Sequence, residues 1–331
     1  MTDGTTGRQG RGDGGRQGAA IVVGSAGQDG TLLSGYLRKK DRAVIEVTRS
    51  AARRTDGGTE AFDVLNASQV DTLVAQASPA EIYYLAAHHH SSDQNVGDQA
   101  SLLQRSYQVH GQGFLSFLDA CVRHSPKTRL FYASSALVYG HPDHCPQDET
   151  TPMRPVCAYG ITKLFGMGLC ELYRREYGLF CSAGILFNHE SSLRQPRFVS
   201  KKIAMAAAAI KRGLQAELVL GSLDAEVDWS AASDFVEAMP MTLATEMPQD
   251  YVFSSGQRRS LRDFCDIAFA TVELDFRKYV KVREEIIFRR PRSVPLQGNP
   301  ERLKRSTGWK PRIGFEELVS SLVRAELDQA S

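Results

Sequence analysis

A run of four apolar residues, Ala20-Ile21-Val22-Val23, stops at Gly24, and glycine then recurs every third residue at Gly27 and Gly30. The run suits a strand buried on both faces. Glycine lets the backbone turn sharply out of such a strand and approach a pyrophosphate closely. The helix that starts there turns free N–H groups and a partial positive charge toward the anion. In a chain with 28 glycines this G-x-x-G-x-x-G spacing carries little weight alone. Directly after the first apolar strand, it predicts a dinucleotide site. Gly24, Gly27, Gln28, Asp29 and Gly30 are the candidate cofactor contacts.

The chain continues as an alternation. Segments 44–47, 61–64 and 81–87 read as strands, and 31–40 and 70–77 as helices. A helix over 102–124, a strand over 129–134, a helix over 159–177 and a strand over 180–186 follow. This predicts an α/β fold with a doubly wound parallel sheet of Rossmann type, which binds ligands at the carboxyl ends of its strands. After Phe187 come an alanine-rich helix over 201–211, shorter elements, an Arg/Pro cluster at 289–295 and a helix over 315–327. Residues 19–187 are expected to form the dinucleotide-binding domain. Residues 188–331 are expected to form mainly a smaller C-terminal substrate-binding lobe, with segments such as 250–254 returning to the main sheet. Residues 1–18 contain seven glycines and no large apolar side chain, so a disordered tail is expected.

Composition excludes several classes of protein. Forty Lys and Arg against 38 Asp and Glu leave +2, so no bulk field draws the chain onto nucleic acid or a membrane surface. No apolar run approaches the ~18–20 residues that span a bilayer, and no apolar signal core stands near the N-terminus. Cys121, Cys145, Cys157, Cys170, Cys181 and Cys265 include no C-x-x-C pair. That argues against a disulfide framework or a zinc ribbon and for a reducing cytoplasm. His88-His89-His90 does not suit a chelate, since adjacent residues at a strand end point in different directions, and no metal is expected.

The tip of the second strand selects between dinucleotides. An acid there binds the adenosine ribose of NAD, whereas arginine accommodates the 2′-phosphate of NADP. The strand ends Val47-Thr48-Arg49-Ser50, so Arg49 favours NADP, with NAD as the alternative. Asp63 and Val64 are placed beside the adenine.

Tyr159 and Lys163 stand four apart on a predicted helix and share a face. A cationic lysine beside a phenol favours phenolate and makes the tyrosine a usable acid/base. Tyr36 and Lys40 repeat the spacing, but on the first helix, where no role is evident. Context separates the two pairs. The strand ending Ala133-Ser134-Ser135 supplies hydroxyls at the expected carboxyl edge, and Ser135 is the candidate to bond the substrate oxygen that Tyr159 protonates or deprotonates.

The glycine loop, the strand ending Tyr84-Leu85-Ala86-Ala87, the hydroxyl strand and Tyr159-x-x-x-Lys163 together resemble an extended short-chain dehydrogenase/reductase of the epimerase/dehydratase family. Gly27-Gln28-Asp29-Gly30, Glu81-Ile82-Tyr83, Glu149-Thr150-Thr151-Pro152, Asn188-His189-Glu190-Ser191 and Gly308-Trp309-Lys310-Pro311 are similar to the GDP-mannose 4,6-dehydratases. The resemblance covers roughly residues 20–325. It implies a nucleotide-diphosphate sugar substrate, hydride loss from sugar carbon 4 to NADP, and cofactor contacts at Leu85, Ala86 and Ala87. It also implies substrate-site positions at His90, Ser135, Asn188, His189 and Glu190. Arg194, Lys202 and Arg289 are candidate diphosphate contacts. A homodimer or homotetramer is implied as well, with the loop from Arg49 to Gly58 reaching a neighbour's cofactor.

Three departures bear on the reaction. The resemblance implies Thr-x-Glu on the hydroxyl strand, the Glu serving carbons 5 and 6, and here Ser135 and Leu137 hold those places. Ser134-Ser135-Ala136-x-Val138-Tyr139-Gly140 instead looks like the segment in sugar 4-epimerases. The arginine implied before Asp228-Trp229 is Val227, and the glutamate implied after Arg290-Pro291 is Arg292. The expected function is therefore a nucleotide-sugar 4-epimerase. The alternatives are a 4,6-dehydratase using another acid such as Glu190, a 4-keto-sugar reductase, or a non-catalytic dinucleotide-sensing scaffold.

Overall fold

The computed structural model describes residues 18–53, 57–88, 98–283 and 293–328. β1 (Ala20–Val23) leads into α1 (Gln28–Arg38) and β2 (Val44–Val47). β3 (Ala51–Arg53) and β4 (Thr59–Ala61) come before α2 (Ala67–Ala77) and β5 (Glu81–Tyr84). Next are α3 (Gln99–Tyr107), a π-helical turn at Gln108–Gln112, α4 (Gly113–His124) and β6 (Arg129–Ala133). A 3-10 turn at Ala136–Tyr139 precedes α5 (Ala158–Tyr177), β7 (Phe180–Leu186) and β8 (Asn188–Glu190). α6 (Val199–Lys211), β9 (Leu218–Leu220), β10 (Glu226–Ala231), α7 (Ala232–Leu243) and β11 (Tyr251–Phe253) follow. β12 (Arg258–Ser260), α8 (Leu261–Ala270), β13 (Val280–Val282), α9 (Glu301–Thr307) and α10 (Phe315–Asp328) complete the described chain.

Eight strands form the main sheet in the order β11-β7-β6-β5-β1-β2-β3-β4. From β11 to β2 every pairing is parallel, and β3 and β4 close one edge antiparallel. This is the doubly wound α/β sheet that the alternation predicts. Chain order runs outward in opposite directions from β1 and β5, so the carboxyl ends at that reversal open a crevice.

Both faces of the sheet are covered, which is why β1 reads as an unbroken apolar run. Ile21 and Val23 pack with Val70, Phe117 and Cys170 of α2, α4 and α5. Ala20 and Val22 pack on the other side with Leu33 of α1 and Phe235 of α7. Phe253 and Leu303 join that second face, so β11 and α9 belong to the main body although they follow Phe187. A separate apolar cluster ties α6, α8 and α10 together around Phe264, with Trp229 of β10 stacked on Phe315 at 5.6 Å. β12, β10 and β8 form a three-stranded sheet, and β13 pairs with β9.

Four local expectations change. The strand expected over 61–64 is the hairpin β3–β4, which ends at Ala61. Asp63 and Val64 lie in the turn that follows, because Asp63 Oδ1 accepts the Leu65 N–H at 3.0 Å and Asn66 then caps α2. The loop expected over 49–58 supplies β3, and its residues 54–56 lie outside the described residues. β5 stops at Tyr84 rather than running to residue 87. The helix expected over 102–124 is interrupted by the π turn, whose carbonyls are drawn to buried phenols. Tyr84 donates to the Val109 carbonyl at 2.5 Å and Tyr132 to that of His110 at 3.1 Å.

Among the described residues no helix is long and apolar enough to cross a membrane, and no three His, Cys, Asp or Glu gather as metal ligands. The six cysteines are free.

Candidate active site

The crevice at the strand reversal is a cleft of about 1170 Å³. It brings together the glycine loop, Arg49, Asp63, Val64 and Leu85–Ala87 with Ser135, Tyr159, Lys163, Asn188, His189, Glu190, Arg194 and Lys202. His90 and Arg289 lie outside the described residues. His88 also lines the cleft, whereas Tyr36 and Lys40 do not.

The loop geometry fits a dinucleotide. Gly24 has φ +90°, and a Cβ there would sit 2.7 Å from the Ala86 nitrogen, so only glycine lets the β1 and β5 ends pass this closely. No side chain caps α1 at Gly27, which leaves the amino end of the helix open to an anion. The side chains of Gln28 and Asp29 turn elsewhere. Gln28 Nε2 donates to the His189 carbonyl at 3.1 Å, and Gln28 Oε1 accepts from Ser191 Oγ at 2.9 Å. Asp29 faces His189 Nε2 at 2.9 Å. Backbone amides thus remain the loop's contribution to a bound phosphate. Its side chains lock α1 to β8.

Ser135, Tyr159 and Lys163 converge because the start of α5 packs against the 3-10 turn. A Cβ on Gly160 would lie 2.5 Å from the Leu137 carbonyl, so glycine permits the approach. Ser135 Oγ accepts the Leu137 N–H at 3.2 Å, which leaves its own O–H to donate. Lys163 is 1% exposed, and its Nζ donates to the Ala133 carbonyl at 2.7 Å while standing 5.6 Å from the Tyr159 ring centre. Burial pulls the Lys163 ammonium down to about 7, against the pull of Asp29. Burial pushes the Tyr159 phenol well above its ordinary value, opposed by Arg194 and reinforced by Asp29. The expected lowering of Tyr159 by Lys163 is therefore absent, because the ammonium points to a carbonyl and the phenol is partly withdrawn from water.

Two further groups shape this corner without a sequence signal. His110 Nε2 accepts the His88 N–H at 3.0 Å, so its Nδ1 carries the hydrogen that faces Thr162 Oγ1 at 2.8 Å. The His110 ring meets Tyr159 edge-on at 5.1 Å. The turn before α6 adds Arg197 and Phe198 to the cleft wall.

On the opposite side, buried Glu190 accepts from Ser200 Oγ at 2.6 Å and pairs with Arg194 Nε at 3.1 Å. The Arg194 guanidinium lies 3.6 Å over the Phe198 ring. Lys202 Nζ donates to the Val219 carbonyl at 3.0 Å. Leu137 lines the cleft beside Ser135, and Val227 lines it from β10.

Fold and site together define an enzyme of the NAD(P)-dependent epimerase/dehydratase superfamily, within the extended short-chain dehydrogenase/reductases. A family model described as GDP-mannose 4,6 dehydratase matches residues 21–322. The chain belongs to that family, whose members modify nucleotide sugars. It is 34% identical over 333 residues to GDP-mannose 4,6 dehydratase 2 of Arabidopsis thaliana, covering 94% of this chain and 87% of the relative. It is 32% identical over 344 residues to the Homo sapiens GDP-mannose 4,6 dehydratase, covering 93% and 91%. The fold is shared with RMD from Pseudomonas aeruginosa complexed with NADPH, at TM-score 0.80 and 22% identity over 94% of this chain and 99% of that one. It is shared also with the Thermotoga maritima UDP-glucose 4-epimerase, at TM-score 0.78 and 18% identity over 95% and 100%. The relatives' names thus support the dehydratase alternative over the 4-epimerase that the hydroxyl strand suggests.

Proposed function

We propose that this chain oxidises carbon 4 of a nucleoside-diphosphate hexose to a 4-keto intermediate, with NADP as cofactor. The observation that carries this is the convergence of Ser135, Tyr159 and Lys163 on the cleft that also holds the glycine loop. Backbone groups of Gly24, Gly27, Gln28, Asp29 and Gly30 would hold the pyrophosphate, with Asp63, Val64 and Leu85–Ala87 lining the rest of the site. Arg49 favours NADP over NAD. When bound, the cofactor supplies a hydride acceptor. Tyr159, ionised to the phenolate in its working state, takes the proton of the carbon-4 hydroxyl, and Ser135 Oγ–H donates to the same oxygen. Lys163, when protonated, stabilises the phenolate.

The relatives' names support 4,6-dehydration of a GDP-hexose as the overall reaction. Elimination needs a group to take the carbon-5 proton and release the carbon-6 hydroxyl as water, and Leu137 cannot transfer protons. Glu190 is the remaining candidate, buried in the cleft wall and held by Ser200 and Arg194. A second reading, 4-epimerisation, is favoured by Leu137 itself, since turning a 4-keto sugar over needs no carbon-5 base.

Incubation with GDP-mannose, UDP-glucose and dTDP-glucose tests both. A product lighter by one water supports dehydration, and an isomer of equal mass supports epimerisation. Stoichiometric loss of added NADPH would indicate a reductase, and bound cofactor without turnover a sensing scaffold.

Residues 188–331 supply most of the nucleotide-facing wall in this reading, and the six free cysteines favour the cytoplasm. A homodimer, or a tetramer built from it, is supported by the apolar side chains that α3 and α5 leave exposed. Tyr107, Ile161 and Phe165 are 44%, 46% and 43% accessible. A monomer by light scattering would overturn that part.

A further inference from the structure

Among the described residues, the carboxylates on the nucleotide-facing half of the cleft are all satisfied from within the protein. Asp224 pairs with Arg262 at 2.7 Å and Glu226 with Arg258 at 2.6 Å. Glu190 is taken by Ser200 and Arg194. Asp228, 1% exposed, accepts from Ser255 Oγ at 2.6 Å and from the Gly298 N–H at 3.0 Å. Two cations on the wall formed by α6 and the turn before it have no such partner. Among the described residues no carboxylate lies within ion-pair distance of Arg197, whose guanidinium stands 5.4 Å from the Phe198 ring. Lys202 bonds one carbonyl, at 3.0 Å, and keeps two ammonium hydrogens for the cleft. Across the cleft β10 presents Val227, which offers no charge at all.

We propose that Arg197, with Lys202, is the diphosphate clamp for the nucleotide sugar. The grip then comes from the α6 wall instead of from β10. This rests on the nucleotide-sugar reading above and names the residues that bind that substrate's anion. Paired carboxylates, an uncharged β10 position and two cations without a carboxylate partner place the favourable potential on the α6 side, and a nucleoside diphosphate carries the charge to fill it. Arginine suits the task because its planar fork bonds two phosphate oxygens at once, which lysine does with a single point charge.

The test is calorimetric titration of the full chain, saturated with NADP, with GDP, UDP and dTDP. Wild type is expected to bind at least one of them. Arg197→Ala is expected to weaken that binding about 10- to 100-fold, as for loss of charged hydrogen bonds. Arg197→Lys is expected to recover part of the loss, and adding Val227→Arg to Arg197→Ala to recover more. NADP affinity is expected to stay the same in every variant. If Arg197→Ala binds the diphosphate as wild type does, the clamp is refuted and the nucleotide-sugar reading stands. If wild type with NADP bound takes up none of the three, both fail.

Discussion

His189 lies between two hydrogen-bond acceptors. Its Nδ1 is 2.7 Å from the Phe187 carbonyl oxygen, and its Nε2 is 2.9 Å from Asp29 Oδ2. Neither an amide carbonyl nor an ionised carboxylate can donate, so both ring nitrogens carry hydrogen and His189 is an imidazolium. Burial opposes that charge, but Asp29 outweighs it and the His189 pKa is raised. Burial likewise pulls Asp29 upward, and His189 overrides it to hold the carboxyl low. The pair joins the glycine loop to β8, so two sides of the cleft share one electrostatic bolt.

Asp29→Asn should therefore destabilise the fold in a pH-dependent way. The raised His189 value gives stability that is complete below 6.5 and lost as pH climbs through the folded value. The lowered Asp29 value gives stability complete above 3.8 and lost as pH falls through the folded value. Melting temperatures of wild type and variant should differ most between 3.8 and 6.5 and converge in alkali. A difference independent of pH would refute the ion pair.

Lys163 gives the opposite slope. Its folded value of about 7 lies below the free 10.5, so the unfolded chain binds a proton that the folded one releases. Stability rises with pH across that window. Wild type should gain on Lys163→Met as pH climbs from 7 toward 10.5 in thermal melts of the cofactor-free protein. A flat difference would show that Lys163 keeps its proton when buried.

Tyr159→Phe removes the proposed acid/base and leaves the loop untouched. Turnover should fall by ~10²–10⁴-fold, while NADP binding by fluorescence titration stays within twofold or so of wild type. Retained turnover would place the proton transfer elsewhere.

Leu137→Glu places a carboxylate beside Ser135. The rate of water loss from the substrate should rise by at least ~10²-fold, read as dehydrated product by mass spectrometry. No change would mean that position 137 does not face carbons 5 and 6.

Much of the fold was legible because its signals are local. The β1 run shows its two-sided burial directly, and the hydroxyl strand upstream sets Tyr159 and Lys163 apart from Tyr36 and Lys40, which share their helical spacing. The unread features depend on distant partners. Asp29 and His189 are 160 positions apart, so nothing near either residue reports the contact. The π turn arises from phenols on β5 and β6 that draw in its carbonyls. β3 and β4 are three-residue strands at one margin of the sheet, too short to leave a periodic pattern. Lys163 was expected to lower the Tyr159 pKa, and the Ala133 carbonyl that diverts it lies 30 positions away.

The central claim is that hydride leaves carbon 4 of a nucleotide sugar. GDP-mannose, UDP-glucose and dTDP-glucose, each carrying deuterium at carbon 4, test it most directly when mixed with the NADP-loaded protein in a single turnover. The account predicts that one of them shows a transient reduced nicotinamide whose formation is slowed by the deuterium. The label should then reappear at carbon 6 of a product lighter by one water, or at carbon 4 of the epimer under the second reading. Turnover of any of the three without a reduced-cofactor signal or an isotope effect, the label never leaving carbon 4, would contradict it.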